Sequence, residues 1–252
     1  MNLIEAIEAR YSCRAYTGEP LEQETFDQLA AYIEQINRES GLHFQLYGPR
    51  EGSAAAIDMA ANMFTGSVPC YAALVGPTDA ISGEKVGYYG EKLMLLAVQL
   101  GLSTCWVAST YNAETTRVEL QPGEVLWDVM PIGYSPEKTP MKQQVIRAGL
   151  RKRDKRPKQL VESDTPFDEL PDWFKVAIDI VILGPSAVNG QPVVFGYRDG
   201  RVTADLPNFK RDIEYNDLGI AKLHFEIAAR ACGVEGSWEW GTGGEFSYTL
   251  GA

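Results

Sequence analysis

Histidine is nearly absent from this chain: His43 and His224 are the only two in 252 residues. The four cysteines, Cys13, Cys70, Cys105 and Cys232, are scattered and form no C-x-x-C pair. So few nitrogen and sulfur ligands make a poor metal site, and the cysteines read as reduced thiols packed as small apolar residues. There is no G-x-x-x-x-G-K-[ST], and "GTGG" at 241–244 lacks the G-x-G-x-x-G spacing of a dinucleotide loop. G-x-S-x-G is missing too, and two histidines leave little choice for a Ser-His-Asp arrangement, so hydrolase chemistry is disfavoured. Positive charge is also short. With 23 basic against 34 acidic residues the formal net charge is -11, which argues against a nucleic acid or an anionic membrane surface as partner. No apolar run approaches a membrane span and the amino end lacks a signal-peptide layout, so a cytoplasmic protein is expected. What remains is a chain whose hard chemistry, if it has any, is expected from a cofactor.

What is present is enough apolar sequence, 45% hydrophobic and 10% aromatic, to bury a sizeable core. It is also repetitive. "GYYGEKLMLLAVQLGLSTCW" (Gly87 to Trp106) and "GIAKLHFEIAARACGVEGSW" (Gly219 to Trp238) each place a second Gly fourteen positions after the first and a Trp five beyond that. Each reads as an amphipathic helix, a Gly cap, and a strand carrying Trp. Upstream, "FDQLAAYIEQINRESGLHFQLYG" (Phe26 to Gly48) and "FKVAIDIVILGPSAVNGQPVVFGY" (Phe174 to Tyr197) both read as helix, connector, strand. The pattern predicts an internal duplication with halves at 1–160 and 161–252, forming one compact unit. "GYRDGRV" predicts a hairpin in the second half turning at Asp199-Gly200.

Two stretches break the symmetry. "GPSAVNGQP", Gly184 to Pro192, offers a hydroxyl, two side-chain amides and two prolines where the first half has only "NRESGL". It reads as a ligand-gripping loop. "EARYSCRAYTGEPL", Glu8 to Leu21, follows a predicted helix over "NLIEAIEA" and sets Arg10, Ser12 and Arg14 at alternate positions. In an extended chain these three share a face, and two guanidinium groups with a hydroxyl suit an organic phosphate. A third stretch, "RKRDKRPKQLV" from Arg151, has six basic residues among the eight from Arg151 to Lys158 and reads on its own as a solvated linker between the halves.

R-x-S-x-R near the amino end, P-S-A-x-N-x-Q-P after a helix, and "GLSTCW" after a later helix together resemble the FMN-dependent nitroreductase family, in its single-chain, internally duplicated form. The resemblance covers nearly the whole chain. It implies an α+β fold, an αβα sandwich of two pseudo-symmetric halves, each with a mostly antiparallel sheet flanked by helices. In ordinary family members two subunits share each flavin, one supplying the arginine motif and the other the loop; here one chain would supply both. The resemblance implies that Arg10 and Ser12 hold the FMN phosphate and that Arg14 reaches the pyrimidine edge of the ring. Pro185, Ser186 and Ala187 would lie along the ring and ribityl chain, with Asn189 hydrogen-bonding nearby. Backbone amides of Ala108 and Ser109 would approach the hydride-accepting nitrogen, and one of Arg153, Lys155 and Arg156 would return to the phosphate. Since each half lacks one motif, a single flavin site is expected and the second should be dead. Val193 stands where many family members have Trp. The implied activity is ping-pong reduction of a nitroaromatic, a quinone or a similar small acceptor by NADH or NADPH, with no catalytic side chain required. The alternative is a flavin-binding protein for storage or sensing. A complete site within one chain favours a monomer.

Overall fold

In the computed structural model, residues 1–151 and 154–250 are described, the side chain of Arg151 excepted. Helix α1 (Leu3–Ala9) opens on a capping box in which Asn2 and Glu5 satisfy each other's backbone N–H groups. Helix α2 (Gln23–Ser40) ends at Gly41, whose positive φ lets the chain turn into strand β1 (Gln45–Tyr47). Strand β2 (Cys70–Pro77), helix α3 (Ala80–Gln99), strand β3 (Ser103–Thr104) and strand β4 (Glu124–Gly133) complete the first sheet, which is antiparallel throughout in the order β1-β2-β4-β3.

After helix α4 (Met141–Arg151), the second sheet is built from β5 (Val161–Ser163), β6 (Val194–Arg198), β7 (Arg201–Asp205), β8 (Val234–Trp238) and β9 (Gly244–Leu250). Its order is β5-β6-β7-β9-β8, antiparallel except for the parallel pair β5/β6. Helices α5 (Asp172–Val181) and α6 (Ile213–Ala231) pack against it. The β6/β7 turn is the two-residue hairpin expected at Asp199-Gly200, both with positive φ as a type I′ turn requires. The architecture is therefore the α+β arrangement of two mostly antiparallel sheets flanked by helices.

Three apolar layers account for most of the core. Strand β2 is buried on both faces: Cys70, Ala72 and Leu74 join α2 and α3, while Tyr71, Ala73 and Val75 join a second cluster around Ile57, Phe64 and Val129. That explains a strand without polar alternation. The other half packs Phe174, Phe195, Phe225, Trp238 and Phe246 edge-to-face or stacked between α5, α6 and the second sheet.

Helices α3 and α6 cross at the centre, and the repeated glycines are where they touch. A Cβ on Gly87 would lie 2.0 Å from the Asn216 carbonyl oxygen, and one on Gly219 would lie 1.9 Å from that of Glu84. Only backbone fits on either side. The second glycines of the repeat, Gly101 and Gly233, both have positive φ just past the helix ends.

Two expectations are corrected. These helices are not amphipathic: Glu84, Glu91, Lys222 and His224 are all fully buried. Their polar ends meet across the crossing instead of facing water, with Lys222 Nζ 2.5 Å from Glu84 Oε1 and His224 Nε2 2.9 Å from Glu91 Oε1. Trp106 also lies beyond the short strand β3, because its indole turns inward to donate to Glu91 Oε2 at 2.8 Å, whereas Trp238 does sit in β8.

Candidate functional site

At the end of α1 the backbone of Arg10 becomes extended. Cys13 N–H then donates to the Thr104 carbonyl at 2.8 Å, and bridges at Ser12 and Ala15 fix the stretch against the first half. Cys13 and Ala15 therefore point into the core, while Arg10, Ser12 and Arg14 line a cavity of about 400 Å³. The opposite wall is the loop after α5: Ile182, Leu183, Gly184, Pro185, Ser186 and Asn189. The two sequence stretches singled out on opposite halves thus meet across one cleft.

Arg10 is the unusual member. Its Nε and Nη1 are buried and have no hydrogen-bond partner. Burial lowers its pKa and the charge of Glu91 opposes that shift, so the guanidinium remains a cation. Neither nitrogen is bonded to Glu91, whose oxygens pair with His224 and Trp106. Burial alone would raise the Glu91 pKa, but the bond and charge of His224, the charge of Arg10 and the indole N–H together hold it below its usual range. A guanidinium on a cavity wall whose buried donors have no protein acceptor calls for an anionic acceptor.

The loop is held in an unfavourable shape. Val188, Asn189 and Gln191 all have positive φ, at 49°, 53° and 44°. Left-handed backbone at non-glycine residues costs about 1–2 kcal/mol each, and most for a β-branched side chain. Side-chain tethers compensate. Ser186 Oγ accepts from Gln191 N–H at 3.0 Å, and Gln191 Nε2 donates to the Ile182 carbonyl at 3.0 Å. Lys155 reaches in from the segment between α4 and β5, its N–H on Gln191 Oε1 at 2.8 Å and its Nζ on the Gln191 carbonyl at 2.6 Å. Asn189 Nδ2 donates to the Leu150 carbonyl at 2.9 Å and to Asp154 Oδ1 at 2.7 Å, and Asp217 Oδ1 accepts from Ala187 N–H at 2.9 Å.

Of the residues singled out in the sequence, the structure brings Arg10, Ser12, Arg14, Pro185, Ser186 and Asn189 to the cavity wall. Ala187 is in the same turn, but its N–H is directed at Asp217 and it does not line the cavity. Lys155 buttresses the loop at Gln191, and Arg156 is exposed at the start of a 3-10 turn (Pro157–Leu160), its N–H on Gln159. Arg153 lies outside the described residues. Ala108 and Ser109 are exposed and are not among the cavity-lining residues, because the chain leaves the sheet after the Val107–Val129 bridge. A further basic side chain at the cavity, besides Arg10 and Arg14, is Arg147 of α4, which lies over the Tyr11 ring at 4.9 Å. Its signal in the sequence is helical spacing: Arg147 and Leu150 lie three apart and both line the cavity, ahead of the denser basic run.

The family model described as "Putative TM nitroreductase" matches residues 2–229. The chain belongs to this nitroreductase family. Among solved structures, the nitroreductase-family chain resembles a "putative nitroreductase" from Thermotoga maritima MSB8 at 19% identity, with a TM-score of 0.68 over 100% of this chain and 95% of that one. A nitroreductase with bound FMN from Bacteroides fragilis NCTC 9343 matches at 16% identity and TM-score 0.43, covering 56% of this chain and 92% of that one. The FMN-dependent nitroreductase NfnB from Mycobacterium smegmatis, in complex with NADPH, matches at 17% identity and TM-score 0.40, over 54% and 90%. We found no match among curated proteins. Membership of the nitroreductase family supports oxidoreductase activity. Among the described residues no helix is long and apolar enough to cross a membrane.

Proposed function

We propose that this nitroreductase-family chain is an FMN-dependent NAD(P)H oxidoreductase, reducing a nitroaromatic, quinone or similar small acceptor by a ping-pong mechanism. The observation that carries the reading is Arg10, with two buried nitrogens that no protein group satisfies, on the wall of a cavity whose far wall is the Gly184–Asn189 loop. Bound FMN supplies hydride acceptance from a reduced nicotinamide and hydride delivery to an acceptor.

The chain's own residues then bind and orient. Arg10 and Ser12 hold the phosphate, with Arg147 close enough in the same wall to share it, and Arg14 places a fixed cation where the ring gains charge on reduction. Ile182, Leu183 and Pro185 give the ring an apolar wall, while Ser186 and Asn189 supply polar edges. Asn189 offers its oxygen to a ligand without giving up Asp154, since only its nitrogen is engaged there. No side chain is needed as nucleophile or general acid. We read the two halves, 1–160 and 161–252, as an internal duplication in which each kept one grip, so a single chain suffices and a monomer is expected.

Titration with FMN should therefore saturate near one per chain. Saturation at two would contradict the asymmetric arrangement, and no uptake would leave the fold without its proposed cofactor.

A further inference from the structure

Asp217 is a buried carboxylate of α6, 5% exposed, with no cation paired to it among the contacts described. One oxygen accepts the Ala187 N–H; the other, Oδ2, is buried without a partner. It faces a small cavity beneath the loop, lined by Pro185, Ser186, Gln191 and Pro192 on the loop side and by Ile220 and Ala221 on its own helix. An acid so placed costs the fold free energy. What it does in return is touch the loop at the residue just before the two consecutive left-handed positions, Val188 and Asn189.

We infer that Asp217 is the positioning residue of this loop, holding Ala187 N–H from below so that Pro185 and Ser186 stay turned into the cavity and grip the ligand bound there. The inference rests on the reading of that ligand as FMN. Charge strengthens the hold, since a carboxylate accepts a hydrogen bond roughly twice as strongly as a neutral group. Burial, the Ala187 N–H, Glu214 one turn earlier on α6 and Arg211 ahead of that helix set the ionisation of Asp217; Asp128 on β4, bonded to Asn216 Nδ2 at 2.5 Å, feels its charge. Burial pushes Asp217 up to about 7; the Ala187 N–H and Arg211 pull it down, and Glu214 raises it. Burial and the charge of Asp217 likewise raise Asp128 well above its ordinary range. Because the folded pKa lies above the unfolded one, ionising Asp217 costs stability as pH rises toward about 7, while the same ionisation tightens the loop.

The test uses the full chain with two variants. Asp217→Ala removes the acceptor; Asp217→Asn keeps an oxygen for Ala187 but neither charges nor titrates. Hydrogen exchange of the loop amides is read in flavin-free protein, and FMN affinity by fluorescence between about pH 6 and about pH 8. Asp217→Ala should speed loop exchange and raise the Kd for FMN at every pH, by about threefold below about pH 7 and by about tenfold above it, the losses expected for one hydrogen bond to a neutral and to a charged group. Asp217→Asn should exchange like the wild type at low pH, and the ratio of its Kd to the wild-type Kd, in which the phosphate's own ionisation cancels, should climb several-fold through about pH 7. Unchanged exchange and affinity in Asp217→Ala, or a ratio flat with pH, overturns the inference. Wild-type protein that takes up no FMN refutes the flavin reading and with it the grip, while the exchange comparison still reads the tether on its own.

Discussion

Replacing Arg10 by Ala should weaken FMN binding by roughly 1.5–3 kcal/mol, about ten- to a hundredfold, and should weaken riboflavin far less. The difference follows from where the unspent donors are. Nε and Nη1 of Arg10 are buried without a partner, so the free protein already bears the cost of desolvating them and a phosphate recovers it. Riboflavin lacks the phosphate and gains nothing from those nitrogens. Parallel titrations of the two ligands check this, and equal losses would place Arg10 away from the phosphate. Arg10→Lys should rescue only in part, because an ammonium cannot present the planar fork that meets a phosphate with two parallel bonds.

A larger effect, on stability, is expected at the helix crossing. Lys222 is fully buried and donates to Glu84 Oε1 and to the carbonyls of Glu239 and Gly241, while Glu84 Oε2 accepts from Gly241 N–H. Burial pulls the Lys222 pKa down and Glu84 works against it. Lys222→Met leaves the Glu84 carboxylate buried without its cation and should cost about 3–5 kcal/mol in denaturant unfolding. Adding Glu84→Gln should recover much of that loss, because the uncompensated charge is what makes the single change severe. A single variant as stable as the wild type would show that water reaches the crossing. The glycines explain why the pair can form: Gly87 and Gly219 let the two backbones touch, which brings side chains 138 positions apart in sequence within bonding distance.

The same crossing shows what was legible in the sequence. The matched glycines could be read directly, since a helix broken by Gly and followed by a strand is a local pattern, and they prove to be the contact points and caps of α3 and α6. The alternate spacing of Arg10, Ser12 and Arg14 was legible for the same reason: an extended chain fixes which residues share a face, whatever it packs against. The loop stood out because its composition has no use in a plain connector. The buried polar side chains were not legible. Glu84, Glu91, Lys222 and His224 have the spacing of polar faces, and only the approach of a second helix turns those faces inward. Arg147 and Asp217 escaped in a similar way, as did the bonds that Lys155, offered by the resemblance only as a candidate for the phosphate, makes to Gln191. Each contact is set by the relative placement of α4, the segment between α4 and β5, and α6, and no spacing within one segment encodes that. Ala108 and Ser109 followed the resemblance alone, and the chain turns them to the surface.

The most direct test of the central claim is reduction of the bound flavin. FMN-loaded protein is mixed anaerobically with NADH or NADPH, the flavin absorbance is followed, and a nitroaromatic or quinone is then added. The account predicts bleaching far faster than that of free FMN, recovery on adding the acceptor, and parallel initial-rate lines for the two substrates. Bound flavin that bleaches no faster than free FMN would contradict it, and would make the chain a flavin-binding protein for storage or sensing instead of a reductase.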